Sequence, residues 1–302
     1  MDPGGYLVLQ LVLCTEDTSG VMHMRCAWQA YLSLIPATMR CEVDSRGRGK
    51  LQELRMRLNR PAELVCSDGL LYLEHTVTPS DLSYSINMAC EYSPWTASTT
   101  DQCYITAPGG HRIGICGVVA ADTGRIQGLR ELTSISIRVA RDIPVFEGDT
   151  NSHESVLILG RPGAGKTTML RDLVRYRSDA FYETICVVDE RAEIFPIAKG
   201  AFCFPTGKRV DVLTGRSKQE GILQLLRTMT PNTIAVDEVT AAEDCEALLN
   251  AAWCGVHLIA SAHADSVEGF KQRNVYKPLV ESGVFQRAIV LRKDRSWYWE
   301  KL

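Results

Sequence analysis

The sequence predicts two domains: an α+β domain over residues 1–147, then an α/β domain with a mostly parallel sheet over residues 148–302. Three observations carry this. The length of 302 residues exceeds one ordinary domain. The first half holds short β-branched runs separated by turn residues, the mark of antiparallel strands. The second half alternates short, continuous apolar runs with amphipathic stretches of helical period, as expected of a sheet covered on both faces.

Composition is that of a soluble globular protein, with 45% hydrophobic and 23% charged residues, which excludes collagen-like, coiled-coil and disordered chains. A formal net charge of -3 gives no global attraction to nucleic acid or anionic lipid. The 11 cysteines include no pair separated by two residues, so neither a zinc ribbon nor a redox pair is written, and an odd count without a framework fits a reducing cytosol. The apolar run from Tyr6 to Cys14 is too short to span a bilayer and lacks the basic flank of a signal peptide.

Taken in order, residues 1–20 read as a strand or an extension, with Met22 or Met24 as alternative starts. From Arg25 to Met39 apolar residues recur at helical spacing. Arg46, Arg48, Lys50, Arg55, Arg57 and Arg60 follow, opposed only by Glu53, while Leu51, Leu54 and Leu58 set an apolar stripe against that basic face. Segments within 104–140 read as strands broken by glycine pairs. The stretch Asp142 to Ser152 reads as the linker, with the boundary near residue 147.

Beyond it, strands are expected at Ser155–Leu159, Thr184–Val188, Thr233–Val236, His257–Ser261 and Arg287–Leu291. Helices are expected from Gly165 to about Arg177, from Ser217 to Met229, and from a Thr240/Glu243 capping box to Gly255.

The chemistry sits at Gly160, Arg161, Pro162, Gly163, Ala164, Gly165, Lys166 and Thr167, a full GxxxxGK[ST] between a strand and a helix. Glycines let backbone N–H groups curl round a phosphate, and the helix N-terminus adds partial positive charge. Lys166 is placed to reach the β- and γ-phosphates and Thr167 to ligate Mg²⁺. The strand Thr233–Val236 ends in Asp237 and Glu238, read as a Mg²⁺-holding acid and a water-polarising base. A second strand ends in Asp189 and Glu190, the first an indirect Mg²⁺ contact, the second a partner in water activation or an ion pair with Arg191. His263 follows a strand on the same edge, where it could sense the γ-phosphate. His23, His75, His111 and His153 have no expected role. Neither Asn-Lys-x-Asp nor an LSGGQ-like signature occurs, so ATP is the expected nucleotide.

In order, GRPGAGKTTMLRDLVR, VVDERAEI, RVDVLTGRSKQEGILQLLRTMTPNTIAVDEV and LIASAHADS resemble the stage III sporulation protein AA family, a branch of the secretion and pilus motor ATPases. LRMRLNRPAELV and ITAPGGHRIGICG resemble its N-terminal domain, so the likeness runs from about Leu51 to Leu291. It implies a RecA-like P-loop NTPase that hydrolyses ATP with Mg²⁺ in the mother-cell cytoplasm of a sporulating bacterium. The enzyme would lie at the base of a membrane channel facing the forespore, without an integral membrane segment of its own. It also implies a homo-hexamer with nucleotide between subunits and membrane-embedded channel or secretion-complex partners; no nucleic acid is expected, because the basic stretch Arg46–Arg60 has no stacking aromatics beside its charge. Gly163 to Thr168 match the Walker A loop, Asp189 and Glu190 the acidic box, Asp237 and Glu238 the Walker B pair, and His263 the histidine box. Arg209 and Arg227 fall where such motors supply arginines to a neighbour. Residues 1–20 depart from the family pattern. The alternatives are a RecA-like ATPase on single-stranded nucleic acid using Arg46–Arg60, or an ATP-binding scaffold with little turnover.

Overall fold

The computed structural model describes residues 26–90, 104–122, 125–146, 154–198, 200–294 and 296–302, with the backbone alone for 119–122, 125–130 and 198. The expectations for residues 1–20, for both alternative starts and for a boundary at 147 lie outside these residues. Contacts divide the chain into one unit running to Ile143 plus Ala198–Cys203, and another of Pro144–Ile197 and Phe204–Leu302.

The first unit begins with α1 (Trp28–Ser33) and α2 (Ala37–Gly47), which replace the single helix read through Met39 because Pro36 caps the second. Then come β1 (Leu51–Arg57), β2 (Pro61–Cys66), β3 (Gly69–Thr76), α3 (Pro79–Cys90), β4 (Tyr104–Thr106), β5 (Arg112–Asp122) and β6 (Arg125–Arg138). The strands form one antiparallel sheet in the order β3-β2-β1-β6-β5-β4.

The stripe of Leu51 and Leu54 belongs to a strand. A register shift between Leu51 and Glu53 adds one residue, so Leu51, Leu54 and Met56 all enter the core. The basic stretch is also less bare than its sequence suggests. Arg46 pairs with Glu42, Arg48 with Asp44, Lys50 with Asp68, Arg55 with Glu53 and Arg57 with Glu63.

His111 is fully buried in this unit. Its Nε2 meets the Ala27 carbonyl at 3.0 Å and its Nδ1 accepts the Ala140 N–H at 3.0 Å. One neutral tautomer satisfies both bonds.

The second unit contains β7 (Val156–Leu159), α4 (Lys166–Phe181), β8 (Ile185–Asp189) and β11 (Val210–Thr214); between the last two come the short β9 (Ile197–Ala198) and β10 (Ala201–Phe202), which from Ala198 onward are counted with the first unit. There follow α5 (Lys218–Thr228), β12 (Thr233–Val236), α6 (Ala242–Trp253), β13 (His257–Ala262), α7 (Val267–Lys271), α8 (Lys277–Ser282), β14 (Arg287–Leu291) and β15 (Trp297–Lys301). The sheet order is β11-β8-β12-β13-β7-β14-β15, parallel except where β15 pairs with β14.

Alternate residues of each strand feed two cores. Leu157 and Leu159 of β7 join the helices α5 to α8 on one face, and Val156 and Ile158 join α4 on the other. This is why the strand runs are continuously apolar. Ser217 caps α5 by accepting the Glu220 N–H. The capping box expected at Thr240 and Glu243 is not formed; Asp244 reaches back instead and accepts from the N–H groups of Thr240 and Ala241.

At the start of this unit the carboxylate of Asp172, on α4, accepts the N–H groups of Val145 and Phe146 at 2.7 Å each. The Trp297 indole donates to the Val145 carbonyl, and Phe146 stacks on the same ring.

Burial pushes the His111 imidazole down to about 4 from an ordinary 6.5, with the Ala27 bond opposing and Arg141 adding. The folded state then binds fewer protons than the unfolded chain between these values, so the stability tied to neutral His111 is complete above pH 6.5 and is lost as pH falls towards 4. His111→Gln keeps a donor and an acceptor but does not titrate. Denaturation of parent and variant across this range should show the parent losing up to about 3 kcal/mol relative to the variant. A constant difference between the two would count against a neutral buried imidazole.

Candidate functional site

Because six strands run parallel, their carboxyl ends share one edge, and the motif residues collect there. After β7 the chain turns through Gly160–Gly165 into α4, with Gly163 at φ 76° and Gly165 at φ 100°, values an L side chain rarely adopts. A Cβ on Gly160 would sit 3.1 Å from Leu291 Cβ and 3.2 Å from Ala164 Cβ, so the loop is packed closely from below. The result is a glycine cradle over the N-terminus of a 16-residue helix, which suits an anion.

Lys166 opens that helix and is buried. Its Nζ donates to the Arg161 carbonyl at 3.1 Å and to His263 Nδ1 at 2.9 Å. An ammonium only donates, so Nδ1 accepts and the ring proton is on Nε2, which lies 3.4 Å from Glu238 Oε1. Burial lowers the Lys166 pKa, while the charges of Asp237 and Glu238 oppose the fall. β13 lies between β7 and β12 in the sheet, and this places His263 between the lysine and the acid.

Asp237 is bonded on both oxygens. Oδ2 accepts from Thr167 Oγ1 at 2.5 Å, and Oδ1 accepts from the Ser261 hydroxyl. Glu238 follows with φ 52°, a left-handed backbone unusual outside glycine. The hydroxyl of Thr167 beside the Asp237 carboxylate forms a pair of hard oxygen donors at the helix N-terminus. That suits a Mg²⁺ ion held by few protein groups together with phosphate and water. Among the described residues no cluster of three or more His, Cys, Asp or Glu forms a metal cage.

Gly160, Gly163, Gly165, Lys166, Thr167, Asp237, Glu238 and His263 are thus brought together. Pro162 and Ala164 lie in the loop, and Thr168 is half-buried one residue further along α4. Arg161 turns its guanidinium to Asp265, both N···O distances being 2.7 Å. Glu190 pairs not with Arg191 but with Lys218 at 2.8 Å, and Arg191 lies 4.0 Å from Glu238. The buried Asp189 carboxylate is spent on the loop that follows, accepting the N–H groups of Glu193, Ile194 and Phe195 at 2.8 to 2.9 Å. Burial lifts its pKa to about 6, against the pull of the Phe195 and Ile194 amides.

Arg209 precedes β11 and bonds Thr184 at the other edge of the sheet. A five-residue strand places it about 15 Å from the phosphate-loop edge. Arg227, in the last turn of α5 before β12, is on that far edge too. Neither reaches the loop of its own chain. Ser261, Asp265 and Lys218 were missed; the one available signal was a serine within the apolar run of β13.

A glycine loop and acids on the carboxyl edge of a parallel sheet define a RecA-like P-loop NTPase domain, preceded by an α+β unit. Solved structures agree on the fold. The ATPase DotB of Legionella pneumophila superposes with a TM-score of 0.54 at 17% identity, over 88% of this chain and 79% of that one. The pilus retraction motor PilT with bound ADP gives 0.56 at 14% identity, over 83% and 76%. The chain belongs to the family described as sporulation stage III, protein AA, whose sequence model matches residues 33–297. Stage III sporulation protein AA of Bacillus subtilis (strain 168) is 34% identical over 279 residues, 87% of this chain and 90% of that protein.

Asp189→Asn exchanges one acceptor oxygen for an amide that faces N–H donors. The expected loss is about 1–3 kcal/mol, read as a lower thermal midpoint with faster protease cleavage within residues 190–196. A variant with the parent's midpoint and cleavage pattern would show that the carboxylate does not hold this loop.

Proposed function

We propose that the protein is an ATP-hydrolysing motor of the secretion-ATPase type, powering assembly of, or transport through, a membrane channel between mother cell and forespore. The observation that carries this is the continuous chain from Lys166 through His263 to Glu238 beside the Thr167–Asp237 pair. In this reading the loop amides of Gly163–Thr168 and Lys166 hold the β- and γ-phosphates. Phosphate oxygens take the place that the Arg161 carbonyl and His263 now hold on Nζ. Thr167 and Asp237 hold Mg²⁺, which when bound neutralises charge on the phosphates. Glu238 orients the attacking water and takes its proton, and His263 carries its Nε2 proton towards the γ-phosphate side of the pocket. Glu190, paired with Lys218, supports the acidic edge.

The arginine that neutralises transition-state charge comes from a neighbouring copy in a homo-hexamer, Arg209 and Arg227 being the two that the sequence singles out. No helix among the described residues is long and apolar enough to cross a membrane, so attachment is assigned to partner proteins on the mother-cell side.

Lys166→Ala should lose ATP binding. Glu238→Gln should retain ATP while turnover falls by about 10²–10⁴-fold, measured as phosphate release against nucleotide retained on the protein. Hydrolysis by Glu238→Gln at the parent rate would remove Glu238 as the base. Activity per chain should also rise steeply through the monomer-to-oligomer transition, since an arginine supplied in trans is worth about 10³–10⁵ in rate. A flat profile through a transition seen by light scattering would refute shared sites.

A further inference from the structure

Ser261 lies between apolar neighbours in β13 and is fully buried. Both functions of its hydroxyl are engaged. The proton goes to Asp237 Oδ1, and the oxygen accepts the Glu238 N–H at 2.9 Å. Its own carbonyl accepts the Val239 N–H at 2.8 Å. One residue of β13 therefore fastens three consecutive residues beyond the end of β12.

The turn needs fastening. Glu238 is held at φ 52°, a left-handed conformation that is unfavourable outside glycine. Among the described residues the other acceptor on its N–H is Asp237 Oδ1 at 3.1 Å, an atom that itself depends on Ser261 for its direction. With Oδ1 tied to Ser261, Oδ2 is the oxygen left facing Thr167. The hydroxyl thus sets which carboxylate oxygen faces the phosphate loop and, through the backbone, where the Glu238 side chain begins.

We propose that Ser261 is a positioning residue for hydrolysis: it orients the Asp237 carboxylate towards the Thr167 side and fixes the Glu238 backbone in the conformation that brings its carboxylate beside His263. The assignment rests on the ATPase reading above. It concerns a fully buried side chain bonded to Asp237 and Glu238, so its signature is a change in metal dependence together with turnover, and not a simple loss of stability.

Ser261→Ala removes one oxygen and leaves the Glu238 N–H with Asp237 Oδ1, so the fold should persist. Supporting groups of this kind typically alter metal affinity or activity by about 10–100-fold. The Mg²⁺ concentration for half-maximal binding of a fluorescent ATP analogue should rise about tenfold, with analogue binding in EDTA unchanged, and kcat should fall about 10–100-fold. Ser261→Thr, which keeps the hydroxyl and suits a strand, should return both quantities close to the parent. Should its extra methyl lower the melting temperature below the assay range, the Mg²⁺ shift of the alanine variant decides alone. An alanine variant matching the parent in Mg²⁺ dependence and kcat overturns the proposal. So does one that loses activity only through a lower melting temperature, with Mg²⁺ dependence unchanged. A parent protein that binds no ATP analogue at all would instead remove the ATPase reading, and this role with it. A parent that binds and hydrolyses beside an unaltered alanine variant would remove the Ser261 role alone.

Discussion

The site depends on one carboxylate with two obligations. Asp237 is held from the phosphate-loop side by Thr167 and from the neighbouring strand by Ser261, so the ends of three elements share a single acceptor. Each bond to a charged acceptor is stronger than one between neutral groups, and the low local dielectric strengthens it further. The parallel sheet makes this possible. Strands of one direction bring their carboxyl ends to one edge, and the insertion of β13 between β7 and β12 supplies both the serine and the histidine from the same strand. The buried lysine consequently stands close to two acids, whose charges oppose the fall that burial imposes on its pKa.

The P-loop half was the more legible part of the sequence, for a physical reason. Strands covered on both faces must be apolar at every position, and such runs are conspicuous; Thr233–Val236 and Arg287–Leu291 fall where the pattern puts them. The motif fixed the loop because only glycine suits its backbone. Edge strands were harder to see. β11 alternates polar and apolar residues, and β15 is a short aromatic run that packs by ring contacts instead of aliphatic burial. In the first unit the added residue in β1 breaks the period of two, so Leu51 and Leu54 stand at helical spacing although both lie in a strand. Caps are equally ambiguous at sequence level: Glu243 and Asp244 are adjacent acids, and only the entry angle of the chain decides which one turns back.

The basic stretch shows how charge along a sequence overstates charge in space. A row of arginines in sequence looks like a patch, but β1 lies beside β2, and α2 returns its own acids to the same region. Glu42 and Asp44 precede Arg46 and Arg48 by one helical turn, Glu63 comes from the neighbouring strand β2, and Asp68 lies 18 residues beyond Lys50. Pairs this exposed add little stability, about 0–1 kcal/mol each. Their effect is to reduce the field that a polyanion would feel. Arg209 and Arg227 show the converse. They stand close to the acidic boxes along the chain, yet strand and helix direction carry them to the opposite edge of the sheet.

The grip of Asp172 on Val145 and Phe146 has a mechanical meaning. Asp172 belongs to the rod whose first turn carries Lys166 and Thr167, and the two amides it holds come immediately after the point where the chain passes between units. Any displacement of that helix is therefore felt by the segment that follows the junction through one acidic side chain, with no intervening element.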